Sequence, residues 1–206
     1  MKIQKLPLLT ILVLACTASA HAGTKFAVEP YLGYGLLGGL SSTTSGTTTN
    51  LGSFTGVALG SRVSVAFQDM FFAGADVSYS PSLGYAAATG ASSGVFLDDA
   101  TTRFTLGVVA GVEMPILPLR IWLGYNFLDN LADGSVAGGT VSKGLNGSSF
   151  KFGAGYKVIP LVSLNAEYTI TNFGSSSSAG VSSNLNAGQT AGINTLLLSA
   201  SFPIEL

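Results

Sequence analysis

From Lys25 to Leu206, apolar residues recur at every second position, in short runs broken by Gly, Ser, Thr and Asn. A period of two is that of a β-strand, whose successive side chains point to opposite faces. No stretch after residue 16 approaches the roughly 20 continuous apolar residues that a membrane helix needs. Yet the 206-residue chain is 47% hydrophobic and only 9% charged. A typical soluble domain carries about 25% charged residues, and one so poor in charge would lack an ordinary hydrated surface. High hydrophobicity without long apolar runs points to a membrane protein built of strands.

The alternation resolves into eight segments: 25–36, 54–67, 71–85, 102–113, 119–128, 149–158, 162–173 and 193–206. Each is long enough for the 9–11 tilted residues of a spanning strand. The connections at 68–70, 114–118 and 159–161 are tight. Those at 37–53, 86–101, 129–148 and 174–192 are long and rich in Gly, Ser, Thr and Asn. An even strand number with short turns on one side and long loops on the other predicts an all-β, eight-stranded antiparallel up-and-down transmembrane barrel, with both termini on the short-turn, periplasmic side.

The charges support this orientation. Glu29, Arg62, Asp76, Arg103, Glu113, Arg120, Lys151, Lys157, Glu167 and Glu205 lie in the register opposite the aliphatic and aromatic stripe. Each strand's register follows from its own stripe, so the independent test lies in strands with two charges. Lys25 with Glu29, Arg103 with Glu113, and Lys151 with Lys157 each share parity. A Lys or Arg facing lipid at mid-bilayer costs about 2–4 kcal/mol, so the charged faces must be lumenal. An eight-strand interior is just wide enough for side chains to fill it, and charges buried there need partners. Arg62, Asp76 and Glu167 are expected near mid-height. Glu29, Glu113, Arg120, Lys157 and Glu205 are expected toward the periplasm, and Arg103 and Lys151 toward the outside. The expected interior is a plugged ion network. Inward glycines, among them Gly60, Gly111 and Gly153, either make room for Tyr31, Phe72 and Trp122 or leave water-filled space. Phe26, Phe67, Phe71, Tyr156 and Phe202 at the lower strand ends, with Phe54, Tyr85, Tyr125, Phe127, Phe150 and Tyr168 at the upper ends, suit interfacial belts.

Residues 1–22 read as a cleaved signal peptide: Lys2 and Lys5, a short apolar run over 6–15, then the small-x-small site Ala20-His21-Ala22. A competing signal, Val13-Leu14-Ala15-Cys16, loosely resembles a lipoprotein box. Such boxes have Leu three before the Cys and a small residue two before, where this chain has Val13 and Leu14. Cleavage after Ala22 removes the only Cys, Cys16, and the only His, His21, so residues 23–206 form the barrel domain without thiol or imidazole. A Ser-His-acid triad and a His or Cys metal site are then impossible. Glu29 with Glu205, on the closing strands, could in principle do acid–base work, although a structural ion network is the better reading. Asp98-Asp99 falls far short of a calcium ligand set. Gly153-Ala154-Gly155 lacks the ending of a nucleotide loop, and scattered single cations make no nucleic-acid patch.

Two segments carry a family resemblance. Val28-Glu29-Pro30-Tyr31-Leu32-Gly33-Tyr34-Gly35 resembles the first strand of small outer-membrane barrels. Leu164-Asn165-Ala166-Glu167-Tyr168, after a Pro-containing turn, resembles their penultimate strand. Over residues 24–206 the chain is similar to the eight-stranded transmembrane domain of outer membrane protein A and its relatives. The resemblance implies an outer-membrane location, no cofactor, and Glu29, Arg62, Arg103 and Glu167 as salt-bridge partners in the lumen. It also implies recognition of the last strand by the barrel-assembly machinery. This chain ends in Leu206 where family members commonly end in Phe. Pro30 and Pro203 fall in the strands that close the barrel, where a missing donor predicts a bulge. The functional expectation is a monomeric, non-enzymatic barrel surrounded by outer-membrane lipid and presenting its loops. The alternatives are a narrow channel for ions or small solutes and, less favoured, a soluble lipid-binding barrel.

Overall fold

The computed structural model describes residues 24–206 except 45, 69, 88–100, 115, 134–142, 179–180 and 185–188. The leader expected over 1–22, with Cys16 and His21, and the Asp98-Asp99 pair lie outside the described residues. The strands are β1 (Thr24–Thr44), β2 (Thr47–Phe67), β3 (Phe71–Ala87), β4 (Thr101–Glu113), β5 (Leu119–Asp133), β6 (Lys143–Ile159), β7 (Val162–Ser178), β8 (Val181–Asn184), β9 (Gln189–Ser201) and β10 (Ile204–Glu205). β1 to β7 pair consecutively and antiparallel, and β9 pairs with both β7 and β1, closing a ring of eight staves. β10 continues β9 along β1, while β8 adds to the top of β7 off the ring.

The closing seam differs from expectation. Pro203 interrupts the last strand without slipping it: Tyr31 faces Ser201 above the proline, and Val28 faces Ile204 below it in the same register. The Phe202 N–H donates to the Pro30 carbonyl at 2.9 Å, and the Leu206 N–H to the Phe26 carbonyl at 2.8 Å. Pro30 keeps its carbonyl in the ladder but has no N–H to return to Phe202, so the seam loses one donor at this pair without losing its register. The bulge in this seam lies higher, between Gly35 and Leu37.

The apolar stripe faces outward. Leu32, Val63, Val108, Leu123, Phe152, Leu164 and Leu198 are exposed on the barrel wall, and the charged register points in. This is the reverse of a soluble carrier, which would line its interior with the apolar face. The belt aromatics Phe67, Phe71, Tyr156 and Phe202 below, and Tyr125, Phe127, Phe150 and Tyr168 above, are exposed on that wall. The rings of Tyr125 and Phe150 lie 5.0 Å apart. Phe54 is a correction: it keeps the inward parity of Gly56 and Ala58 and is buried.

The strands are also longer than expected. β1 and β2 run 21 residues each, about twice the 9–11 that cross a bilayer. Residues expected as the loop 37–53 therefore continue the barrel wall, and the serine run Ser175–Ser178 belongs to β7 and not to a loop. On all four ascending strands the added height begins at a bulge: between Gly35 and Gly39 in β1, Ser80 and Leu83 in β3, Asn126 and Asp129 in β5, and Phe173 and Ser175 in β7. One extra residue reverses the two faces of everything beyond it. Leu40, Leu83 and Leu131 consequently turn inward, Leu83 although it shares the odd parity of the lipid-facing Tyr79.

Candidate functional site

The lumen is filled in layers, and strand register sets the lowest of them. Glu29, Arg62 and Asp76 are successive cross-strand neighbours on β1, β2 and β3, so one cation is placed between two carboxylates by pairing alone. Arg62 approaches Glu29 and Asp76 at 3.6 Å each and hydrogen-bonds Glu167 of β7 across the lumen. Arg120 of β5 holds Glu29 with both terminal nitrogens. Lys151 of β6 hydrogen-bonds Asp76 and lies 3.2 Å from Glu167. Tyr31 donates its hydroxyl to Asp76 at 3.2 Å. Arg62, Arg120 and Lys151 carry the positive charges and Glu29, Asp76 and Glu167 the negative, so the cluster is formally neutral. All except Arg120 are fully buried, and Arg120 is mostly so.

Aromatic rings complete this layer. The Arg62 guanidinium lies 4.4 Å from the Trp122 ring centre and 4.9 Å from that of Tyr31, with Arg120 5.2 Å from Trp122. Such stacking stabilises a desolvated cation. It depends on glycine: a Cβ at Gly60 would run into Tyr31, and one at Gly153 into Trp122, in each case the cross-strand partner. The inward glycines at these positions make room for rings. Replacing Gly153 by Leu is expected to displace Trp122 and destabilise the barrel by about 1–3 kcal/mol, the range for overpacking, as read by urea unfolding in detergent. Wild-type stability would show that the ring has room to spare.

Above this cluster Arg103 of β4 forms a second neutral unit. Its Nε and Nη2 donate to the two carboxylate oxygens of Asp129 at 2.8 and 2.6 Å, a bidentate pair. Thr195 and Thr171 accept from the same guanidinium at 3.0 and 2.7 Å. Asp129, fully buried, belongs to a segment read from sequence as loop. The signal for it was Arg103 itself, an inward cation with no acid at its level. A chamber of about 60 Å³ separates Arg103 and Lys151 from Phe54, Leu83 and Ile193, room for a few waters. The top layer is apolar: Leu40, Phe54, Leu83, Leu131, Leu145, Phe173 and Ile193 pack together across the barrel.

The remaining expected site residues stand apart. Glu113 and Lys157 pair at 3.0 Å, and Glu205 pairs with Lys25 at 3.9 Å, all four half-exposed at the lower mouth. Glu29 and Glu205, weighed as an acid–base pair, are each engaged by separate cations. Lys151, expected toward the outside, reaches down into the mid-level cluster.

The family model for the outer membrane protein beta-barrel domain matches residues 8–201. The chain belongs to this family. Its members lie in the bacterial outer membrane, which assigns the exposed apolar wall to lipid. No curated protein sequence matches the chain. Among solved structures this outer-membrane barrel is similar to Ail, the attachment invasion locus protein of Yersinia pestis, at 10% identity over 86% of this chain and 98% of that one, with a TM-score of 0.49. It is similar to Neisserial surface protein A at 15% identity, 86% and 97% coverage and a TM-score of 0.46. It is also similar to OprG of Pseudomonas aeruginosa at 12% identity, 89% and 96% coverage and a TM-score of 0.42.

Proposed function

We propose that this protein is a monomeric, non-enzymatic outer-membrane barrel with a closed lumen, whose role is to hold a tall, hydroxyl-rich wall above the membrane surface for contact with a partner outside the cell. The observation that carries this reading is the apolar layer from Leu40 to Ile193 seated directly over the neutral ion clusters. An ion climbing the lumen meets paired charges first and then a constriction lined by Leu, Ile and Phe, the arrangement that blocks conduction by dewetting. Chemistry is disfavoured as well: each buried carboxylate among the described residues is held by an Arg or Lys, which leaves no free carboxylate among them to act as a base in the lumen. The wall above is Ser41 to Thr44 and Thr47 to Asn50 on the β1–β2 hairpin, where Thr43 and Thr48 share a hydrogen bond at 2.8 Å. The last residues alternate Phe202, Ile204 and Leu206 on the outside, which supports recognition of this strand by the barrel-assembly machinery.

Purified protein in planar bilayers is expected to give a quiet baseline with no reproducible unitary step. Steady openings of one size would instead establish the narrow channel and overturn the closed reading.

A further inference from the structure

The two ends of the barrel differ in chemistry. Among the described residues the outer end is rich in Ser and Thr, whereas at the periplasmic end the β4–β5 and β6–β7 turns are apolar and the β2–β3 turn carries the exposed Gln68 beside Met70. Ile116 is 92% exposed, Leu117 54% and Leu161 65%. Met70, Ile159 and Leu206 are exposed beside them. These side chains stand below the strands that carry the lipid-facing stripe and continue it: Val158 leads to Ile159 and Leu161, and Phe202 and Ile204 lead to Leu206, with Glu205 exposed between the last two.

Turns are ordinarily kept out of lipid because their N–H and C=O groups lose water. Here much of that cost is already removed. Pro118 and Pro160 carry no N–H. The Met70 N–H donates to Phe67 at 3.2 Å, and the Met70 carbonyl accepts from Glu113 at 2.7 Å. Met114 donates to the Leu119 carbonyl at 2.9 Å, Leu119 to Leu117 at 2.6 Å, and Lys157 to Pro118 at 2.7 Å. The turns are thus stitched to one another and to the neighbouring strands. A groove of about 670 Å³ opens between the β6–β7 turn and β10, walled by Val158, Ile159, Leu161 and Ile204, with Lys157 and Glu205 also lining it. Among the described residues the charged side chains at this rim come as the neutral pairs Glu113–Lys157 and Lys25–Glu205, suited to a layer of zwitterionic headgroups.

We propose that the periplasmic turns are themselves a membrane-binding surface, seated at the boundary between acyl chains and phospholipid headgroups of the inner leaflet. The groove beside β10 receives the headgroup-proximal part of an acyl chain, and the paired charges stand level with the phosphates. The assignment rests on continuity with the lipid-facing wall and goes beyond the proposed closed lumen, on which it does not depend.

Nitroxide labels at Ile116→Cys and Leu161→Cys, in a Cys16→Ala background, test this after reconstitution into vesicles of phosphatidylethanolamine and phosphatidylglycerol. Collision with a water-soluble nickel chelate should be several-fold lower at both sites than at Thr47→Cys on the outer hairpin. Collision with oxygen should approach that at Leu164→Cys on the lipid face. Both should be the same at high and low protein-to-lipid ratio. Nickel collision as frequent as at Thr47 would place the turns in water, free for a periplasmic protein, and overturn the proposal. Protection found only at high protein-to-lipid ratio would assign the surface to a second copy and overturn it equally. Heat-modifiable migration checks that each variant folds, and Leu117→Cys and Ile159→Cys report on the same surface should one fail.

Discussion

Replacing Arg62 by leucine is expected to destabilise the barrel by about 3–5 kcal/mol, the range for removing one member of a buried ion pair. Arg62 is 2% exposed and is the cation common to Glu29, Asp76 and Glu167. Without it, Glu29 retains Arg120 while Asp76 and Glu167 share Lys151, and the cluster carries a net negative charge in a medium that solvates it poorly. The stacking with Trp122 and Tyr31 is lost as well. Urea unfolding in detergent micelles, followed by heat-modifiable migration, measures the loss. Equal stability of Arg62→Leu and parent would show that the cluster does not act as a unit. A sharper control is the double replacement Arg62→Leu with Glu167→Leu. It restores neutrality, so it should be more stable than Arg62→Leu alone, as pairs in direct contact depart from additivity.

Where the wall meets lipid on one face and packed side chains on the other, the period of two is a physical necessity, and strand order, orientation and the side of each charge could be read directly. Glu29, Arg62, Asp76 and Glu167 were legible for this reason. Above the membrane that constraint lapses. The segments 41–50 and 174–178 have no lipid-facing stripe, because the β-ladder continues with water on its outer side and polar residues satisfy it. A Ser- and Thr-rich sequence then reads as loop while the backbone keeps pairing. The other loss is phase. The bulges in β1, β3 and β5 each insert one residue, and alternation cannot count through an insertion that has no residue signature of its own. Alternation alone puts Leu83 on the lipid face with Tyr79, and it hides the apolar layer with Leu40, Leu131 and Leu145 in segments that read as loops. Lys151 shows a third limit: backbone position gives the height of its Cα, but the long side chain delivers its charge lower, to Asp76 and Glu167.

Asp129 is where these effects meet, and Asp129→Ala separates the two readings of β5. As a residue of a solvated loop it would change stability by no more than about 0.5 kcal/mol, the usual scale for surface substitutions. In the bulged strand it is expected to cost about 3–5 kcal/mol, because Arg103 remains buried without its carboxylate. The hydroxyls of Thr171 and Thr195 still contact the guanidinium but carry no charge to balance it. The bulge decides which reading holds: Phe127 and Leu128 are both exposed, and this doubled outward step alone brings Asp129 and Leu131 round to the lumen. Unfolding in urea gives the energy. Replacing both partners, Arg103→Leu with Asp129→Leu, should recover most of it, because an apolar layer already lies directly above and two leucines would extend it. A loss confined to Arg103→Leu, with Asp129→Ala unchanged, would show that the guanidinium is held by the threonines and that β5 does not turn its acid inward.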